Sequence, residues 1–455
     1  MDQERDRLKE LEDDDRRYIW HPFTQMQEYE KETPLIIERA EGVYLFDIHG
    51  KRYMDGVSSL WVNVHGHRRP EIDRAIKEQI DRVSHSTLLG ISNVPAIELA
   101  KKLVKITPPG LEKVFYSDSG STAVEIALKI SFQFFQHRMG KSCKKTRFIA
   151  LTNAYHGDTI GSVSVGGIPL FHDLFHPLLF PCDFAPSPYC YRCPLEMTYP
   201  SCSLACADEL ENTVRRIHEE TAALIIEPLV QGAAGMLTAP PGYLARVRKI
   251  CTRYDLLMIA DEVATGFGRT GTLFACEQEG VTPDLLCLAK GMTGGYLPLA
   301  ATLTTQEVFD AFLGPYEEFK TFFHGHTYTG NPLACAAALA SISLLSPEEV
   351  LPGFQARIQC LSEELARLQG LNHVGEVRQK GFMVGIELVR NRAAKEPYPL
   401  KDQVGHRVIL EARKKGMIIR PLGNVIVLMP PLCMEEGEIR EMVAITGAAI
   451  REVTE

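Results

Sequence analysis

Leu257-Met258-Ile259-Ala260-Asp261-Glu262 and Leu285-Leu286-Cys287-Leu288-Ala289-Lys290-Gly291-Met292-Thr293-Gly294-Gly295 are the two stretches on which the fold turns. Each is a short apolar run that ends in an ionisable side chain, and the second delivers a single amine into a glycine-flanked turn. Runs of this length, buried on both faces, read as strands of a parallel sheet. A carboxylate and an amine at neighbouring strand ends then define one edge of that sheet.

Working outward, the same alternation recurs from about residue 95. Helical patterns are broken by Val114-Phe115-Tyr116, Phe148-Ile149-Ala150-Leu151 and Ala223-Leu224-Ile225-Ile226. This predicts an α/β architecture, a mostly parallel sheet covered by helices, with ligands gathered at the carboxyl ends of the strands. Between Leu35 and Tyr53, short β-like runs punctuated by Gly42 and Gly50 predict a small meander. Beyond residue 335 a helix-forming segment leads into Gly381–Leu388 and Val425–Pro431, read as a smaller α+β domain. The expected division is 1–65, an N-terminal segment joining the small domain, 66–334, the large domain, and 335–455, the C-terminal small domain.

The chain has 455 residues, 45% of them hydrophobic and 24% charged, enough for a large core. A net charge of −9 argues against nucleic acid or an anionic membrane as partner, so a small molecule is the expected ligand. The charged start, Met1-Asp2-Gln3-Glu4-Arg5, lacks the apolar core of an export signal, and the cytoplasm is the expected compartment. Residues 2–17 read as a solvated helix or a frayed leader.

The residues that follow the strands carry the chemistry. After Tyr116 comes Ser117-Asp118-Ser119-Gly120-Ser121, opening a helix. Such a turn leaves amide groups free for a phosphate, although plain helix capping would use the same residues. After Leu151 comes Asn153-Ala154-Tyr155-His156-Gly157-Asp158-Thr159, where Tyr155 is placed to stack on a flat ring or simply to pack. Asp261 is suited to keep a pyridine nitrogen protonated. Lys290, in a confined turn, is suited to form a Schiff base, unless it is only a snorkelling strand-end lysine. Phosphate cradle, ring stacker, nitrogen partner and amine together describe a pyridoxal 5′-phosphate site.

Ile259-Ala260-Asp261-Glu262-Val263-Ala264-Thr265-Gly266-Phe267-Gly268-Arg269-Thr270-Gly271, followed by Pro283-Asp284 and Leu288-Ala289-Lys290-Gly291, resembles the signature of the class III aminotransferases. Trp20–Met26, Asp118–Ser121, Tyr155–Thr159, His324–Thr327 and Arg420–Gly423 are similar to the branch of that family that makes 7,8-diaminononanoate in biotin biosynthesis. The resemblance implies a fold-type I pyridoxal-phosphate transferase and a homodimer with shared active sites. It implies Lys290, Tyr155 and Asp261 as catalytic residues, with cofactor contacts from Gly120, Ser121, His326 and Thr327, the last from the neighbouring subunit. For substrate it implies Phe23, Leu60, Trp61, Tyr155, Asp158, Gly325 and Arg420. The guanidinium of Arg420 is suited to the carboxylate of 8-amino-7-oxononanoate, although a surface ion pair is the plain alternative.

Relatives that use S-adenosylmethionine often carry Tyr at the position of Phe23 and a Trp pair at Leu60-Trp61, so lysine rivals S-adenosylmethionine as donor. Other readings are an ω-amino acid:pyruvate or 4-aminobutyrate aminotransferase, or a regulator that uses the fold without catalysis. Cys190, Cys193, Cys202 and Cys206 form a C-x2-C-x8-C-x3-C array that would suit zinc or an iron–sulfur cluster, with a loop of reduced thiols or occasional disulfides as the alternative.

Overall fold

A computed structural model describes residues 2–345 and 347–455; residues 1 and 346, which fall in the expected terminal segments, lie outside the described residues. The acidic leader is a helix, Asp2–Tyr18. It is moored by the Tyr29 hydroxyl on Asp15 (2.7 Å) and by His49 on Glu12 (2.8 Å).

The N-terminal meander is β1 (Ile37–Glu41), β2 (Tyr44–Asp47) and β3 (Arg52–Asp55). The large sheet uses β4 (Leu111–Ser117), β5 (Arg147–Leu151), β6 (Cys182–Ala185) and β7 (Thr221–Ile226). A two-strand ribbon, β8 (Val230–Gln231) and β9 (Leu237–Thr238), precedes β10 (Leu257–Asp261), β11 (Leu285–Leu288) and β12 (Ala300–Thr305). The C-terminal part has β13 (Val374–Lys380), β14 (Met383–Asn391), β15 (Glu396–Pro397), β16 (Met417–Ile418), β17 (Arg420–Leu422) and β18 (Val425–Leu428).

The seven strands of the large sheet run β4-β12-β11-β10-β7-β5-β6. Strands β11, β10, β7, β5 and β6 are mutually parallel, and β12 alone is antiparallel to both its neighbours, so β4 again points with the rest. Every residue of β7, β10 and β11 is buried, which is why these strands read as unbroken apolar runs. The carboxyl ends of β4, β5, β7, β10 and β11 share one edge.

The smaller unit is an antiparallel sheet, β13-β14-β18-β17, with β15 on β14. Strand β16 pairs in parallel with β3, opposing Ile418 and Asp55, and so joins the N-terminal meander in a separate four-stranded sheet, β1-β2-β3-β16. The helix Pro332–Ser343 packs on helices Pro70–Ile80 and Val94–Ile106 of the large unit. The boundary expected between residues 334 and 335 therefore falls inside a helix.

Candidate active site

Every strand end on the shared edge contributes to one cavity of roughly 410 Å³. Its lining takes Asp118–Ser121 from beyond β4, Tyr155–Gly157 from beyond β5, Glu227 from beyond β7, Asp261 at the end of β10 and Lys290 beyond β11. Leu297–Leu299, which lead into β12, close the side where the antiparallel strand enters. The sheet order thus explains why residues as distant in the chain as Asp118 and Lys290 meet.

The turn beyond β4 feeds the 20-residue helix Gly120–Met139. Ser119 caps it in a reciprocal box with Thr122. The amides of Gly120 and Ser121 have no hydrogen-bond partner among the described residues, so the cap leaves two donors facing the cavity at the positive end of the helix. A Cβ at Gly120 would come within 2.6 Å of Val263, so this close approach requires glycine.

Asp261 is buried and its Oδ1 accepts from the amide of Val263 (3.1 Å). Its Oδ2 accepts from His156 Nδ1 (2.7 Å), which leaves Nε2 of that buried ring without a partner. Glu227 is also buried and accepts from the amides of Tyr155 (3.1 Å) and Gly232 (2.9 Å). Burial pushes its carboxyl up to about 7, with His156 pulling it down and Asp261 pushing it up. Neither His156 nor Glu227 was given a site role from sequence, although the signal that found Asp261, an ionisable group after an apolar strand, is repeated at Ile226-Glu227.

Lys290 has φ +42°, a left-handed conformation at the sharp exit from β11, and its amine makes no hydrogen bond or ion pair among the described residues. Burial lowers its pKa, while Asp261 and Glu227 draw it back up. The amine lies 5.0 Å from the ring centre of Trp61. The desolvated, unpaired lysine is therefore not a snorkelling surface residue.

A line of aromatic contacts leaves the cavity. Tyr155 meets Phe171 edge-on (6.2 Å between ring centres), Phe171 meets Phe23 (5.6 Å), and the Arg420 guanidinium sits 6.0 Å from the Phe23 ring. Phe171 is another residue that sequence reasoning missed. The Tyr155 hydroxyl donates to Asp158 (2.7 Å), whose amide in turn donates to Ser121 Oγ (3.0 Å). Arg420 has no ion-pair partner among the described residues, and burial lowers its pKa, so it is not a surface ion pair.

Other expected residues stand apart. Trp61 lines the cavity, but its neighbour Leu60 is 46% exposed and does not. Gly325 and Thr327 are exposed, and His326 is partly buried with Nε2 unpartnered; none of the three lines this chain's own cavity. Cys190, Cys193, Cys202 and Cys206 do line a common small cavity and are free thiols. Among the described residues, however, no group of three or more His, Cys, Asp or Glu side chains is spaced to hold a metal ion. Their loop is fastened by Glu387, which accepts from the Tyr189 hydroxyl, from Arg192 Nε (2.6 Å) and from Arg378 Nη1 (2.8 Å).

Residues 25–450 match the aminotransferase class-III family. The chain belongs to the class III aminotransferases. It is 57% identical over 445 residues to the adenosylmethionine-8-amino-7-oxononanoate aminotransferase of Geobacter sulfurreducens, covering 98% of each chain. It is 56% identical to the protein of the same name from Nitratidesulfovibrio vulgaris, covering 99% of this chain and 82% of that one. The crystal structure of the Methanocaldococcus jannaschii protein of that name superposes with a TM-score of 0.93 at 49% identity, over 98% of this chain and 99% of that one.

Class III aminotransferases depend on pyridoxal 5′-phosphate, and the residues here fit that cofactor. The free amides of Gly120 and Ser121 would take the phosphate and Asp261 the ring nitrogen, while the unpaired Lys290 amine would hold the aldehyde carbon. When bound, the cofactor supplies an electron sink for the carbon that loses its proton. The chain supplies the rest. Asp261, hydrogen-bonded to His156, would set its carboxylate beside the ring nitrogen. Lys290, being desolvated, gives up its proton readily and can carry one between neighbouring carbons. Tyr155, Trp61 and the Leu297–Leu299 wall line the cavity around that amine.

Proposed function

We propose that this chain converts 8-amino-7-oxononanoate to 7,8-diaminononanoate in biotin biosynthesis, as a cytoplasmic homodimer with S-adenosylmethionine or lysine as amino donor. The observation that carries the acceptor is Arg420. An unpaired, half-buried guanidinium at the far end of a line of aromatic side chains suits a chain that is apolar in the middle and ends in a carboxylate. Near-full-length relatives named for this acceptor support the same reading. Lys290, Tyr155 and Asp261 carry the chemistry; Gly120 and Ser121 hold the phosphate, joined by His326 and Thr327 of a second copy. Phe23, Trp61, Asp158, Gly325 and Arg420 surround the substrate, with Leu60 at its outer rim. The N-terminal meander functions with the small domain.

Transfer is ping-pong, because donor and acceptor use one cavity in turn. For the donor, Phe23 lacks the hydroxyl of a tyrosine, and exposed Leu60 lacks an indole face for a sulfonium. The deciding measurement is diamine formation from 8-amino-7-oxononanoate with S-adenosylmethionine and with lysine side by side. Turnover with neither, but with pyruvate as acceptor, would replace this reading by an ω-amino acid aminotransferase.

A further inference from the structure

Between Val57 and Val62 the backbone turns through Ser58 (φ +52°), Ser59 (φ +59°) and Trp61 (φ +68°), with Leu60 extended between them. Three non-glycine residues in the left-handed region within four positions form a turn that the local chain does not favour. Such strain persists only where the surroundings over-determine it.

Two side chains restrain it: the buried Ser58 hydroxyl donates to the Met429 carbonyl (2.7 Å), and Asp55 holds the next residue, Ser59. Asp55, fully buried at the end of β3, accepts from the Ser59 amide through Oδ1 (2.8 Å) and from the Ser59 hydroxyl through Oδ2 (2.8 Å). His67 Nε2 donates to the same Oδ2 (3.0 Å). Asp55 is anchored in turn by the pairing of β3 with β16, two residues before Arg420. The product of the turn is Trp61, buried, facing the cavity, with its indole N–H unpartnered and its ring 5.0 Å from the Lys290 amine.

We propose that Asp55 is a positioning residue for amino transfer: it holds the Ser58–Trp61 turn in its strained form, so that the Trp61 indole covers the Lys290 amine and forms that wall of the cavity. This rests on Lys290 being the reacting amine. Asp55 does not touch substrate. Its two oxygens accept from the Ser59 amide, the Ser59 hydroxyl and His67 Nε2, whereas asparagine has one accepting oxygen and an Nδ2 that only donates, so it cannot accept from all three.

Trp20 and Trp61 are the only tryptophans, so a Trp20→Phe chain reports on Trp61 alone. In that background, Asp55→Asn should open Trp61 to acrylamide quenching and red-shift its emission, in both the cofactor-free and the loaded protein. The cofactor's visible band should remain, because Asp261 and Lys290 are untouched. Acceptor kcat/KM should fall on the order of ten-fold or more, as expected when a wall of the site is displaced by about an ångström. Adding Ser59→Gly, which removes the penalty for positive φ, should restore much of the Trp61 protection. Ser59→Ala alone removes one of the two Ser59 bonds and should shift quenching less in the same direction. Unchanged Trp61 protection in Asp55→Asn, or in Ser59→Ala if the former does not fold, overturns the proposal. So does a failure of Ser59→Gly to restore protection. The quenching needs no substrate, so it stays informative whatever the acceptor proves to be.

Discussion

At the carboxyl edge of the large sheet, Asp261, His156 and Glu227 are buried by their own chain, with Lys290 half-buried beside them, and the four interact through short hydrogen bonds or charge. Along 319–329, in contrast, Phe319, Phe323 and Tyr328 are 60%, 73% and 61% exposed, beside the exposed Gly325 and Thr327. One chain therefore completes the ring and amine side of the cavity and leaves a group of apolar side chains uncovered. Apolar surface of this kind suits an interface, and the proposed phosphate contact of a second copy lies beside it.

The comparison breaks first at Lys290. Lys290→Ala should abolish the visible cofactor band and reduce turnover on the order of 10⁴-fold or more, since it removes the group that both binds and moves the proton. Retained turnover would move the reacting amine elsewhere. Asp261→Asn should keep the band but lower kcat roughly 10²- to 10³-fold, the scale of one preorganised electrostatic partner; a normal kcat would remove Asp261 from the chemistry.

The exposed segment is tested by mixing chains. Thr327→Ala should weaken cofactor retention about ten-fold, the scale of one charge-assisted hydrogen bond. Mixed dimers of Lys290→Ala and Thr327→Ala chains should contain one intact site each if Thr327 acts across the interface. Equilibrium dialysis and turnover of the mixture check both points, and no recovery in mixed dimers would place Thr327 in its own chain's site.

The smallest effect concerns Glu262, buried behind the edge, where burial pushes its carboxyl up to about 7 while the amides of Ala275 and Cys276 pull it down. The folded state holds this proton more tightly than the unfolded chain. Its contribution is full below the unfolded value near 4.5 and is lost as pH rises through 7, on the order of 3 kcal/mol. Melting temperature measured from pH 5 to 8 should fall less steeply in Glu262→Gln than in the parent; an identical slope would show that Glu262 titrates normally.

The parallel strands were legible because burial on both faces demands unbroken apolar runs, as at Leu257–Ala260. The strand Ala300-Ala301-Thr302-Leu303-Thr304-Thr305 was not, since half its residues are threonine and its partners, not its own pattern, bury it. Lys290, Asp261, Gly120 and Tyr155 could be placed because each follows such a run. Phe171 could not, because it reaches Tyr155 from a short helix, Pro169–His172, whose position is set by tertiary packing. Leu60 and Trp61 are adjacent in sequence and read as a pair, yet the strained turn sends one outward and the other in. The cysteine spacing indicated proximity, and the four thiols do share one small cavity.

The antiparallel strand β12 acts as a spacer. Inserted between β4 and β11, it sets the carboxyl ends of those two strands, beyond which Gly120 and Lys290 lie, two strand widths apart, roughly 10 Å. That interval is counted in backbone hydrogen bonds, so the loops around it can lengthen or change sequence without altering the gauge.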